Sequence, residues 1–269
     1  MELKQGTFLD DVITTLRIES EINGKVNISQ EVLKEFFAQT SLPESKLLFQ
    51  QAEQQLHSQK EISSHISSDL GGSGAISQTV DFSEMNLKEL ENFTLQCRKC
   101  ALCQRRNKVV FGQGSQDADL MFIGEGPGRD EDIQGIPFVG EAGQLLTKMI
   151  NAMQFSRSDV YISNIVKCRP PNNRNPEEDE AVKCIPILKR QIELIKPQVI
   201  VLLGAVPLKY MLGKTGITRL RGHWFSYNGI KVMPTFHPAY LLRSPAAKKD
   251  VWVDLQKVMH IFNKTYKPA

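Results

Sequence analysis

Four short apolar runs, Leu120–Ile123, Val160–Ser163, Val199–Leu203 and Lys231–Thr235, recur through the second half of this chain with helix-patterned stretches between them. Runs this short, bounded by turn residues, read as strands rather than buried helices. The stretches between include the amphipathic Glu141–Met153 and the closing segment Asp250–Phe262. Another begins Pro176-Glu177-Glu178-Asp179, a proline and acidic first turn that suits the positive end of a helix dipole. Pro186 is expected to end or kink that helix. Asn228-Gly229, between apolar runs, has the composition of a hairpin turn. Strands alternating with helices predict a three-layer α/β/α sandwich with a central, mostly parallel sheet.

In sheets of this kind the ligand crevice lies beyond the carboxyl ends of the strands. The loops starting at Gly124, Asn164 and Phe236 all follow strands, so they are expected to converge there.

The first third of the chain differs. Residues 1–58 carry patches of helical spacing, such as Leu9, Val12, Ile13 and Leu16, and read as a partly helical acidic extension. Residues 59–90 include a Ser/Gly-rich stretch, QKEISSHISSDLGGSGAISQTVD, of linker composition. The domain proper is expected over 91–269. Residues 1–90 hold 7 Lys/Arg against 14 Asp/Glu, and the remainder holds 26 against 16. A basic body behind an acidic front suits a phosphate-binding domain with an appendage that could meet a protein partner. The opening residues lack a basic head followed by an apolar run. The longest apolar stretch, Val199–Leu208, is half of the ~20 residues a bilayer requires. No membrane role is expected, and the reading is a cytoplasmic, nucleoid-associated monomer.

All five cysteines, Cys97, Cys100, Cys103, Cys168 and Cys184, fall in the basic part. Cys97-x2-Cys100 is a chelating pair, and Cys168 with Cys184 could complete a four-thiolate cage. Zinc and a [4Fe–4S] cluster both fit such a set, and Cys103 is either a spare thiol or a rival ligand.

Three loops carry candidate chemistry. Gly124-Glu125-Gly126-Pro127-Gly128 can bring backbone N–H groups close to a ligand, and Phe138 follows within Gly135-Ile136-Pro137-Phe138-Val139-Gly140. Asn164 at a strand end can donate and accept at once, as reading an amide edge requires. His237 precedes a proline in Thr235-Phe236-His237-Pro238-Ala239-Tyr240-Leu241-Leu242-Arg243.

Together GEGPGRDEDIQGIPFVGEAGQLL, YISNIVKCRPPNNRNP, QVIVLLGAVPL, ITRLRGHW and TFHPAYLLR, in this order and with four matching cysteines, resemble the family-four uracil-DNA glycosylases. The resemblance runs from about Cys97 to Leu255. It implies a DNA-repair hydrolase that flips uracil out of single- or double-stranded DNA and cuts its N-glycosidic bond, leaving an abasic site. It also implies a [4Fe–4S] cluster on Cys97, Cys100, Cys168 and Cys184, acting as a structural staple. A non-catalytic iron–sulfur protein that binds DNA or senses damage is the alternative.

The resemblance assigns roles by position. His237 would donate to uracil O2 as negative charge develops there, helped by backbone N–H groups around Gly126. Phe138 would stack on the base, and Asn164 would read its N3–H and O4. Leu241 would fill the vacated stack, with Arg174 and Arg243 near phosphates. Better-known relatives carry an Asp and a Tyr where this chain has Gly126 and Gly128. Glu125 or Asn173 is therefore expected to position the water, and Glu131 to crowd C5 of the base.

Overall fold

In a computed structural model, residues 81–265 are described. The strands β1 (Gln113–Gly114), β2 (Leu120–Gly124), β3 (Tyr161–Asn164), β4 (Val199–Leu203), β5 (Phe225–Tyr227) and β6 (Ile230–Thr235) join in one sheet, in the order β1-β3-β2-β4-β6-β5. The four central strands are parallel. The two edge strands are antiparallel to their neighbours. Every residue of β2, β3 and β4 is buried, as expected of parallel strands covered on both faces.

Eight α-helices accompany the sheet among the described residues: α1 (Leu87–Leu95), α2 (Arg129–Gln134), α3 (Glu141–Ala152), α4 (Glu178–Ile195), α5 (Ala205–Leu212), α6 (Ile217–Leu220), α7 (Pro238–Arg243) and α8 (Lys248–Ile261). Side chains alternate across a strand, which sorts the layers. Leu120 and Phe122 of β2, with Val199 and Val201 of β4, share a core with Leu146 and Ile150 of α3 and Leu255 and Val258 of α8. On the other face, Ser163 and Tyr161 of β3 meet Gln191 of α4. The expected three-layer sandwich is therefore present.

One expectation of the fold needs correction. The linker expected over 59–90 does not reach residue 90. Asn86 caps α1 by accepting from Lys88 N and Glu89 N, and Glu89 accepts in return from Asn86 N, a reciprocal capping box. Phe82 and Leu90 are buried, and Arg190 of α4 donates to the Met85 carbonyl at 2.8 and 3.0 Å. The extension over 1–58 and the rest of the linker lie outside the described residues.

Of the two outcomes expected at Pro186, an end or a kink, the end is not seen. An interior proline costs about 3 kcal/mol through a missing hydrogen bond and a ring clash. Yet α4 continues to Ile195, because Ala181, Cys184 and Ile185 before the proline and Leu188, Ile192 and Ile195 after it are all buried. Burying several such side chains, at about 1.5–3 kcal/mol each for the larger ones, outweighs one proline.

Candidate active site

The parallel register sets the C-terminal ends of the strands side by side: Gly124 pairs with Asn164, and Leu203 with Thr235. Beyond them lies a cleft of about 440 Å³. Glu125, Gly126, Glu131, Phe138, Asn164, Asn173, Arg174, His237 and Arg243 all line it, so of the sequence-selected base-site and DNA residues only Leu241 is left out.

Glu125 follows β2 directly. Burial alone pushes its carboxyl up to about 7, so near neutral pH it is divided between acid and carboxylate. Glu131, on α2, accepts from Val139 N and Gly140 N, both at 2.9 Å. Phe138 lies between these anchors and the Pro137 carbonyl, which accepts from Arg157. It has a φ of +53°, a region that bulky side chains rarely occupy. The surrounding hydrogen bonds hold that strained backbone in place. Phe138 belongs to the core and also faces the cleft, with its ring 5.6 Å from that of His237.

Asn164 ends β3. Its Oδ1 is fully buried and has no hydrogen-bond partner, alone in this respect among the described side chains. An unmade buried acceptor costs about 1–3 kcal/mol, and such exceptions call for an explanation. Gly124 makes the room. A Cβ there would stand 2.5 Å from both Asn164 Oδ1 and Phe138 Cζ, so only glycine leaves both side chains their places.

His237 follows β6 and caps α7. Its Nδ1 accepts from Ala239 N at 3.1 Å, which leaves the proton on Nε2. Burial, reinforced by Arg243, lowers its pKa to about 4, so the ring is neutral at ordinary pH. A neutral imidazole with a fixed Nε2–H is a hydrogen-bond donor.

The Asn173 loop turns through two residues in the left-handed region, Asn172 and Asn173, both with φ of +54°. Asn173 Oδ1 already accepts from Arg169 at 2.7 Å. Arg174 is a fork on Glu180, at 2.7 and 2.8 Å, with Glu177 at 3.1 Å. Leu241 requires correction as the residue that fills the vacated stack. It is 1% exposed within the core, whereas Tyr240 and Leu242 beside it are 39% and 42% exposed. A helix turns its neighbouring positions apart, and in α7 the apolar face at 241 points inward. Tyr240 also lines the cleft. The sequence concealed this because TFHPAYLLR reads as a loop after the strand, and six residues are too few to show the helical period of Pro238–Arg243.

Cys97, Cys100, Cys103, Cys168 and Cys184 line a second, small cavity. Cys168 Sγ accepts from Arg106 at 3.1 Å, and Cys184 Sγ from Lys167 N at 3.3 Å. Burial pushes the Cys168 and Cys184 thiols up to about 11 and about 12. Among the described residues, no three His, Cys, Asp or Glu side chains gather closely enough to hold a single metal ion. No described helix is long and apolar enough to cross a membrane.

Comparison with known proteins gives this arrangement a context. Residues 111–256 match the model of the uracil DNA glycosylase superfamily. The chain belongs to that superfamily. Its similarity is to the type-4 branch. It is 46% identical to the type-4 uracil-DNA glycosylase of Saccharolobus solfataricus over 64% of this chain and 85% of that protein. Its identity to the type-4 uracil-DNA glycosylase of Sulfurisphaera tokodaii is 44%, over 65% of this chain and 84% of the other. For the type-4 uracil-DNA glycosylase of Thermotoga maritima the figures are 46%, 63% and 91%.

Proposed function

We infer that the chain excises uracil from DNA by hydrolysis of the N-glycosidic bond, leaving an abasic site for repair. The observation that carries this reading is the unpartnered, buried Asn164 Oδ1 at the floor of the cleft. It is an acceptor waiting for a donor, and uracil N3–H is one. The amide of Asn164 would also donate to O4. Cytosine presents the reverse pattern at both atoms and leaves the buried acceptor facing another acceptor.

A base inside a duplex cannot reach this floor, so the nucleotide is flipped out. Phe138 stacks on its face. As the C1′–N1 bond breaks, the electron pair leaves with the base and negative charge gathers on O2. His237 Nε2–H, with backbone N–H groups near Gly126, stabilises that charge without transferring a full positive charge. Glu125 positions the water that attacks C1′. Asn173 is the weaker choice for this, because its oxygen already serves Arg169. Tyr240 fills the vacated stack in place of Leu241. Arg243 meets phosphates, and Arg174 braces the loop through Glu180. All the base-site residues come from one chain, which is compatible with action as a monomer, on DNA in the cytoplasm. The acidic balance of residues 1–90, 7 Lys/Arg against 14 Asp/Glu, suits the extension over 1–58 to a protein partner rather than to DNA.

Cys97, Cys100, Cys168 and Cys184 hold a [4Fe–4S] cluster. The four thiols line one cavity, which would suit the cluster that the resemblance implies. The cluster supplies no bond-cleavage chemistry. It pins the Cys168–Cys184 loop, which carries Asn173 and Arg174.

The test is incubation with an oligonucleotide containing one uracil, followed by hot alkali to cut abasic sites. Uracil-dependent cutting that falls sharply in His237→Ala supports the reading. Absence of cutting by brown, iron-loaded protein would instead favour a binding or sensing role.

A further inference from the structure

We propose that Lys167 is a positioning residue for base recognition, joining the cysteine cavity to Asn164. Among the described residues it is the only buried lysine, at 1% exposure. Its ammonium donates to Ser163 Oγ at 2.6 Å, to Gln191 Oε1 at 2.7 Å and to the Asn164 carbonyl at 2.9 Å. An ammonium has three donors, so its capacity is used in full. Gln191 is itself fixed, donating to the Phe111 carbonyl at 2.9 Å and to Tyr161 Oη at 3.1 Å.

The same residue touches the other site. Its main-chain N–H donates to Cys184 Sγ at 3.3 Å, and Cys168 is the next residue in the chain. All three acceptors of the ammonium are neutral: a hydroxyl, a side-chain amide and a main-chain carbonyl. A buried charge without a carboxylate partner is costly, so a lysine used only to fill space would be a poor choice here. Its geometry has a use. By holding the Asn164 carbonyl, the ammonium fixes the peptide that aims the unpartnered Oδ1 into the cleft. A change at the cysteines would thereby be felt at the base-reading amide. This rests on the reading of Asn164 given above.

The test is Lys167→Met in the full, iron-loaded chain. Excision kinetics on single-stranded uracil DNA, binding of free uracil, iron content and thermal midpoint are measured together. A displaced amide predicts a fall in kcat of about ten- to a hundredfold and weaker free-uracil binding, with KM for DNA within about twofold, since the outer surface is intact. Gln191→Met removes one acceptor of the ammonium without touching Asn164 or any cysteine. It is expected to show the same split in smaller measure, and it decides the matter if Lys167→Met does not fold. Folded, iron-loaded Gln191→Met with wild-type kcat and wild-type uracil affinity would overturn the proposal, even with a lowered thermal midpoint. A wild-type protein inactive on uracil would instead overturn the functional reading.

Discussion

The carboxylate of Glu131 stands where a side chain at Gly128 would have to go: a Cβ on Gly128 would lie 2.7 Å from Glu131 Oε2. The two positions compete for one space at the edge of the cleft, and here an acidic group from the next helix fills it. Glu131→Ala should therefore admit uracils enlarged at C5. Relative excision of 5-bromouracil and thymine over uracil is expected to rise, by about ten- to a hundredfold if one lost steric contact is worth 1–3 kcal/mol. Glu131→Gln keeps the shape and should keep the exclusion. An equal loss on every substrate would show that Glu131 acts only through its bonds to Val139 and Gly140.

The pH profile should carry one acid limb near neutrality. The water-positioning carboxylate must be ionised, and burial has raised Glu125 to about 7, so kcat should climb through that pH and level off above it. His237, near 4 and needed in its neutral form, contributes no limb above about pH 5. Glu125→Gln should lower kcat and flatten the limb. A limb unchanged in that variant would mean that another group titrates.

Asn164→Leu should separate stability from activity. The leucine nearly matches asparagine in shape and abolishes an unsatisfied acceptor whose cost is about 1–3 kcal/mol. The thermal midpoint should hold or rise, while uracil excision drops by about a hundredfold or more. A lowered midpoint with activity retained would show that the amide is structural and that base reading lies elsewhere.

Helix α7 offers a contrast between neighbours. Leu241→Ala should destabilise by about 2–5 kcal/mol, as large-to-small changes in a core do. Tyr240→Ala should cost less, about 0.5–1.5 kcal/mol for the lost ring contact with Phe236. It should depress excision from double strands more than from single strands, because only the duplex needs its vacated stack filled. Equal effects of Tyr240→Ala on both substrates would remove it from that role. Leu242→Ala, with the duplex-selective loss instead, would transfer the role to Leu242.

The sequence made the architecture legible because the four parallel strands are apolar runs with turn residues at their ends, and because Asn228-Gly229 marks the hairpin. Edge strand β1 escaped notice: two residues cannot establish a period. At Pro186 the residue alone leaves an end or a kink open, and the burial on both sides that excludes the end is not a local feature. In the site, Asn164, Phe138 and His237 could be selected from their loops. The strain at Phe138, the orphaned oxygen of Asn164 and the inward turn of Leu241 arise from packing between distant segments, which no single motif contains. Lys167 gives no signal of its own within YISNIVKCRPPNNRNP, since a lysine in a loop ordinarily points to water.

The ends of the sheet have a consequence for the chain's behaviour in bulk. Segments such as Val199–Leu203, VIVLL, are what cross-β fibres are made from, and an open parallel edge would invite another copy to add a strand. Among the described residues both edges are antiparallel strands of only two and three residues, which offer a short row of free backbone groups to a partner. The buried apolar strands are thus kept away from the rims of the sheet, where another copy would have to add.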